Sequence, residues 1–184
     1  MVTSLHVYTA LIAAVAAERV VELVISRRNA ALAFSQGAIE VGQAHYRVMA
    51  AMHVLFLVSC VAEPWALDRA PPGALAWLFV ALALASQGLR YWAIKTLGPR
   101  WNTRVIVLPG ALPVIDGPYR LMKHPNYLAV IVELAALPMI HGAWMTAVAF
   151  SIANALVLAV RIRSEEEALG ADWSAAFASL RRFF

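Results

Sequence analysis

Apolar residues in this chain fall in long, nearly unbroken runs rather than in the narrow stripe of a water-soluble helix. Five runs stand out, at residues 5–25, 46–62, 74–94, 126–140 and 143–160. Their lengths are near the roughly 20 residues that carry a helix across a bilayer. Pro64, Pro71, Pro72 and Gly73 break the chain between the second and third runs, and His141-Gly142 separates the last two. The last two are therefore expected to form a helical hairpin. The pattern predicts an all-α integral membrane protein with about five transmembrane helices.

The polar interruptions carry the information that the runs lack. The first run contains Glu18, Arg19 and Glu22 and is expected to end at Ser26-Arg27-Arg28-Asn29. Glu18 and Glu22 are one turn apart and share a helix face. They read either as an interfacial ion cluster or as carboxylates facing a site, since ionisable groups at membrane depth are costly and mark function by default. Residues 29–45 read as a polar, glycine-containing connection with a short amphipathic piece at 30–34. His53, inside the second run, reads as a hydrogen-bonded packing residue. Gln87 and Arg90 close the third run.

The longest connection, residues 95–123, sets Lys95, Arg100, Arg104, Arg120 and Lys123 against one acid, Asp116. It holds a strand-like run at 104–108 and a segment punctuated by Pro and Gly. Pro125 suits the first turn of a helix. Beyond Arg161 the tail is amphipathic, with Leu169, Trp173, Phe177 and Leu180 at helical spacing, as in a helix lying at the interface.

Composition supports this class. The chain has 184 residues, 62% hydrophobic and 14% charged, and a mean hydropathy of +0.70. That leaves too little polar surface for a soluble domain of this size. The lone cysteine, Cys60, excludes an intrachain disulfide framework. No small-residue cleavage site follows the first run, which reads as a retained span. The net charge of +4 is unevenly placed. Basic residues crowd the connections after the first and third runs and the tail, including Arg181 and Arg182, whereas residues 63–73 hold only Arg69. The positive-inside rule puts the N-terminus outside and the 95–127 connection and the C-terminus in the cytoplasm.

No GxGxxG, Walker or GxSxG motif is present. The histidines lack metal-ligand spacing, so no metal is expected. The basic residues follow the topology and lack interleaved aromatics, which argues against nucleic acid. No obligate protein partner is evident. What remains is a cytoplasmic pocket with backbone donors, tyrosines, arginines and carboxylates, the groups that a zwitterionic nucleoside cofactor needs. Arg161 and Glu165 are four residues apart and point the same way, although such a pair is equally a helix-surface ion pair. His124-Pro125 is equally a plain helix start.

The stretch GPYRLMKHPNY at residues 117–127, followed by an apolar hairpin and RIRSEEEAL at 161–169, resembles the isoprenylcysteine carboxyl methyltransferase family. The likeness runs from about Arg90 to the C-terminus. It implies an integral membrane enzyme that uses S-adenosylmethionine, built as a single domain over residues 1–184. Residues 1–95 would be acceptor-side helices and 96–184 the cofactor core, with the site formed by the 95–127 connection and the C-terminal helix. By the same resemblance Tyr119, His124, Pro125, Asn126 and Tyr127 would line the cofactor, Ala111, Leu112, Pro113 and Val114 would give backbone contacts, Glu165 would bind it, and Arg161 would orient the acceptor. Arg104 stands where the family often has a polar contact such as Gln. Trp173 and Phe177 stand where the family commonly has Tyr, a departure expected to touch only tail packing.

The N-terminal half, with ERVVELVISRRNA and Gly42-x-x-His45-Tyr46, is similar to bacterial relatives encoded beside type III polyketide synthases. Members of that branch methylate the ring hydroxyl of long-chain alkylpyrones or alkylresorcinols. The implied function is O-methylation of a lipophilic small molecule among membrane lipids, in a bacterial inner membrane. The acceptor would be a carboxylate, such as a prenylcysteine, or an acidic ring hydroxyl. An ionised acceptor needs no base, whereas a weaker acid does, and Glu18, Glu22 and His45 are then the candidates. The rival readings are an NADPH-dependent membrane reductase of the sterol-reductase type, for whose dinucleotide the chain has little room, and a non-catalytic scaffold or small transporter. A transporter would show an internal repeat and a midplane polar site.

Overall fold

The computed structural model describes residues 2–178, so Leu180, Arg181 and Arg182 lie outside the described residues. The chain is mostly helical. Its five long helices are α1 (Val2–Ser35), α2 (Gln43–Ala66), α3 (Leu75–Leu97), α4 (Pro125–Met139) and α5 (Trp144–Ala178). A two-stranded antiparallel sheet joins β1 (Ile39–Val41) to β2 (Val105–Val107), with Glu40 opposite Ile106.

Three segments, Gln43–Ala66, Leu75–Arg100 and Trp144–Gly170, are long and apolar enough to cross a membrane by length and composition. With 15 residues, α4 is shorter, and α1 carries Glu18, Arg19 and Glu22 along its 34 residues. Neighbours pack in the order α1, α2, α5, α4, α3, and α4 also reaches α2. One core forms where Tyr8 and Ile12 of α1 meet Met52, Phe56 and Cys60 of α2 and Leu134 and Leu137 of α4. The outside of the bundle is as apolar as its inside: Val54, Leu55 and Val58 of α2, Trp77 and Leu84 of α3, and Ile152 and Leu156 of α5 are all exposed. A belt of that extent needs a hydrocarbon surround.

Two local predictions are corrected. The first helix does not stop at residues 26–29 but runs on to Ser35. Ser26 and Asn29 mark a contact rather than an end. The Ser26 hydroxyl donates to Asn102 Oδ1 at 2.7 Å, and Asn29 Nδ2 donates to the Trp101 carbonyl at 2.7 Å. The polar residues expected to leave the helix therefore bind the loop after α3. Nor is the apolar stripe of the tail, expected to lie at the interface, turned wholly outward. At Gly170, φ is +76°, a conformation that side chains disfavour, and the break turns the last stretch of α5. Trp173 and Phe177 are thereby buried against Ala93 and Tyr119.

Between α1, α3 and α4 lies a network of charges. Arg19 holds Glu22 at 2.7 Å and Glu18 at 3.0 Å. Arg90, 6% exposed, pairs with Glu133 and lies 3.9 Å from Glu22. Gln87 and Tyr91 both donate to Glu18, and Gln87 accepts from Arg19 at 2.9 Å. The periodicity of α3 and α4 pointed to neither Arg90 nor Glu133 as a partner of the first helix. His53 hydrogen-bonds through Nδ1 to the Met49 carbonyl at 2.9 Å.

Removing one member of a buried ion network strands the rest, at a cost of about 3–5 kcal/mol. Arg90→Met should therefore lower the unfolding midpoint in detergent sharply. Arg90→Met combined with Glu133→Leu should recover part of the loss, as thermal scans of the two variants will show.

Candidate active site

The longest segment outside the α-helices, residues 98–124, lies at the end of the bundle where α1 ends and α2 begins. The connection of residues 98–124 is tied down from three sides. Ser26 and Asn29 hold its beginning, β1 pairs with its strand, and Arg100 donates to the Leu112 carbonyl at 2.6 Å. Gly117–Arg120 makes a single turn of 3-10 helix that buries Pro118 and Tyr119. Pro125, at the first position of α4, needs no backbone donor there and sets the helical φ.

These segments enclose a cavity of about 730 Å³. Arg104, Ala111, Leu112, Pro113, Val114, Tyr119, His124, Pro125, Asn126, Tyr127, Arg161 and Glu165 all lie on its wall. Residues from 104 to 165 in sequence are thus brought onto one surface. Arg104 is not free there: it pairs with Glu40 at 2.8 Å and lies over the Phe34 ring. Ala111 and Leu112 are exposed, on the open side.

The Arg161–Glu165 pair is corrected in detail. The two side chains do not simply pair along the helix surface, because the Tyr127 hydroxyl stands between them. Arg161 Nε donates to that hydroxyl at 2.7 Å, and the hydroxyl donates to Glu165. Arg161, 4% exposed, also donates to the Thr103 carbonyl at 2.7 Å and touches the Met49 sulfur at 3.6 Å. One guanidinium thus joins α5 to α4, α2 and the loop. His124 stacks on Tyr127 with ring centroids 5.1 Å apart. Its Nε2 lies 3.2 Å from Glu166, which Lys123 also approaches at 3.4 Å. Burial, reinforced by the Glu165 carboxylate, holds the Tyr119 phenol well above its ordinary pKa. Tyr119 is therefore a neutral hydroxyl.

Of the candidate bases, Glu18 and Glu22 do not line the cavity; they belong to the network with Arg19 and Arg90. His45 is not on the wall either; it stands on α2 one turn before Met49, which touches Arg161.

Several wall residues were not singled out beforehand. Asn29 and Gln36 come from the unforeseen extension of α1, and Trp101 and Asn102 from the loop it binds. Trp173 and Phe177, expected to touch only tail packing, instead form a further side of the wall. The Trp173 ring lies 5.6 Å from His124 and 5.3 Å from Lys123 Nζ. Their helical spacing signalled burial, but nothing in it told burial against a bilayer from burial against this wall.

Two wall atoms are buried with no hydrogen-bond partner among the described residues, Asn126 Oδ1, an acceptor, and Trp101 Nε1, a donor. Buried polar groups are ordinarily satisfied. With aromatic faces and the Glu165 carboxylate beside them, they fit a nucleoside carrying an amino-acid end. Among the described residues no three His, Cys, Asp or Glu side chains are placed to hold a metal.

The family model for the isoprenylcysteine carboxyl methyltransferase (ICMT) family matches residues 79–171. The chain is 43% identical over 160 residues to the uncharacterized protein YpbQ of Bacillus subtilis, covering 86% of this chain and 94% of that protein. It is 28% identical over 162 residues to an uncharacterized protein of Haemophilus influenzae, covering 85% and 91%. The matched segment contains the whole of the wall contributed by residues 97–169.

Tyr127→Phe deletes one hydroxyl and leaves both Arg161 Nε and Glu165 short of a partner. A loss of about 1–3 kcal/mol in folding stability is expected. Denaturation of the purified protein beside the wild type measures it.

Proposed function

Because the chain belongs to the isoprenylcysteine carboxyl methyltransferase family, a family of membrane methyltransferases, we propose that its cavity binds S-adenosylmethionine and that the protein methylates an oxygen of a lipophilic acceptor drawn from the membrane. The single observation that carries this reading is the convergence of the HPNY turn, the Tyr127-bridged Arg161 and Glu165, and the unpartnered Asn126 and Trp101 atoms on one wall.

Bound there, the cofactor supplies an electrophilic methyl on a sulfonium. Asn126 Oδ1 and Glu165 would accept from its ammonium or ribose hydroxyls, and Trp101 Nε1 would donate to its carboxylate or base. The rings of Tyr119, Tyr127 and Trp173 offer faces to a cation or an adenine. Arg161 would orient the acceptor anion, and its three protein contacts fix it before the acceptor arrives, so little reorganisation is left to the reaction step. Burial of both partners keeps water from the reacting oxygen. Positioning supplies most of the rate when the acceptor is already ionised.

In the same reading α1 and α4 join the three longer apolar segments as spans, the last two helices cross as a hairpin, and the cavity faces the cytoplasm of a bacterial inner membrane. Acceptors of this class are long-chain alkylpyrones, alkylresorcinols or prenylcysteines, which would enter sideways between helices.

Titration calorimetry tests the assignment. Saturable binding of S-adenosylhomocysteine without binding of NADPH supports it, and the reverse result defeats it. Glu165→Ala should weaken S-adenosylhomocysteine binding about tenfold, a loss of roughly 1.4 kcal/mol. Arg161→Lys should leave that affinity near the wild-type value while turnover with labelled S-adenosylmethionine falls, since a point charge cannot replace the planar fork. Unchanged turnover in both variants ends the assignment.

A further inference from the structure

We propose that His45 is the general base of this site, and that the acceptor is accordingly a hydroxyl that arrives protonated rather than a carboxylate. The proposal rests on the methyltransferase reading above.

Four observations lead to it. First, the other carboxylate candidates are occupied elsewhere. Glu18 and Glu22 are held by Arg19 and Arg90, away from the cavity wall. Second, the ionisable groups beside Arg161 already have partners: the Tyr127 hydroxyl lies between Arg161 and Glu165, and His124 is shared with Glu166. Third, the first turns of α2 lean on the spot where the Arg161 guanidinium sits. Met49 touches that guanidinium, one turn beyond His45 on the same helix face. The Tyr46 hydroxyl lies 3.5 Å from the Thr103 hydroxyl, and the Thr103 carbonyl accepts from Arg161. Fourth, Nε2 of His45 is buried and has no hydrogen-bond partner among the described residues.

The imidazole also has a prepared place. Gly42 adopts φ +71° just before α2, and a Cβ there would meet three atoms of the His45 ring at 1.9, 2.3 and 2.8 Å. The ring occupies the space that the missing side chain leaves. A fixed ring with a free nitrogen, beside a guanidinium that stabilises a developing oxyanion, is the arrangement that a weakly acidic hydroxyl requires. A carboxylate acceptor would need only the guanidinium.

In the proposed step Nε2 takes the hydroxyl proton while an oxygen lone pair forms the O–CH3 bond. The S–CH3 bonding pair stays on sulfur, which leaves as a neutral thioether. The imidazolium then returns its proton to water.

The test compares the full-length wild-type protein with His45→Gln in lipid nanodiscs, using alkylated phenols of graded acidity. S-Adenosylhomocysteine affinity should be unchanged. Turnover of the least acidic phenol should fall about 100-fold, the usual scale of a lost general base. The deficit should shrink steadily as the phenol becomes more acidic and nearly vanish for an alkylated nitrophenol, which is ionised without help. A second readout needs no turnover. With S-adenosylhomocysteine present, the ultraviolet absorbance of a bound alkylated phenol of low acidity, protonated in solution, should report more phenolate on the wild type than on the variant. A deficit that is uniform across the phenols, or absent, or a spectrum identical on the two proteins, overturns the proposal. If neither protein binds S-adenosylhomocysteine, the methyltransferase reading falls and this proposal with it; intact binding with a uniform deficit rejects His45 alone.

Discussion

The site depends on one guanidinium. Arg161 is buried, and burial of an unpaired charge is among the largest penalties a fold can carry. The chain meets it with the Tyr127 hydroxyl from α4, the Thr103 carbonyl from the loop and the Met49 sulfur from α2. Each partner belongs to a different segment, so satisfying this one group fixes the mutual position of three of them on α5. The cavity follows, because the same segments are its walls. The Tyr127 hydroxyl passes the constraint on to Glu165, one turn further along α5.

A second set of charges does similar work deeper in the bundle. Arg19 and Arg90 face Glu18, Glu22 and Glu133 across three helices. Apolar side chains gain little by leaving lipid for one another, so polar contacts carry much of the specificity between helices in a bilayer. The network sets how α1 lies against α3 and α4, and through Ser26 and Asn29 the position of α1 sets the loop. The two polar systems thus meet at the 98–103 segment from opposite directions.

Much of this was legible in the chain. The apolar run at 46–62 falls within α2 and that at 74–94 begins one residue before α3, because hydrophobic length is a strong signal. The residues that the family resemblance singled out between Tyr119 and Tyr127, with Arg161 and Glu165, lie on one cavity wall. The rest was hidden for identifiable reasons. Residues 26–35 look like a helix end because Ser26 and Asn29 are polar, yet polarity there serves a tertiary contact that local pattern cannot register. The strand pairing of 39–41 with 105–107 joins segments more than 60 residues apart. Trp173 and Phe177 are apolar at helical spacing whether they face lipid or protein. Glu133 sits alone in an apolar run, and its partners Arg90 and Arg19, on two other helices, explain it.

The length of α5 has a consequence for the protein's surroundings. From Trp144 to Gly170 it is one apolar-to-polar rod of 27 residues, about 40 Å at 1.5 Å per residue. The hydrocarbon of a typical bilayer is about 30 Å deep. Measured from Trp144, that depth ends about 20 residues on, near Ser164, with Arg161 about 4.5 Å inside it and Glu165 about 1.5 Å beyond it. A helix crossing upright from Trp144 would thus put the boundary between oil and water between the two residues that the Tyr127 hydroxyl joins. A bilayer of different thickness would slide that boundary along the rod, so lipid chain length becomes a variable of the site itself.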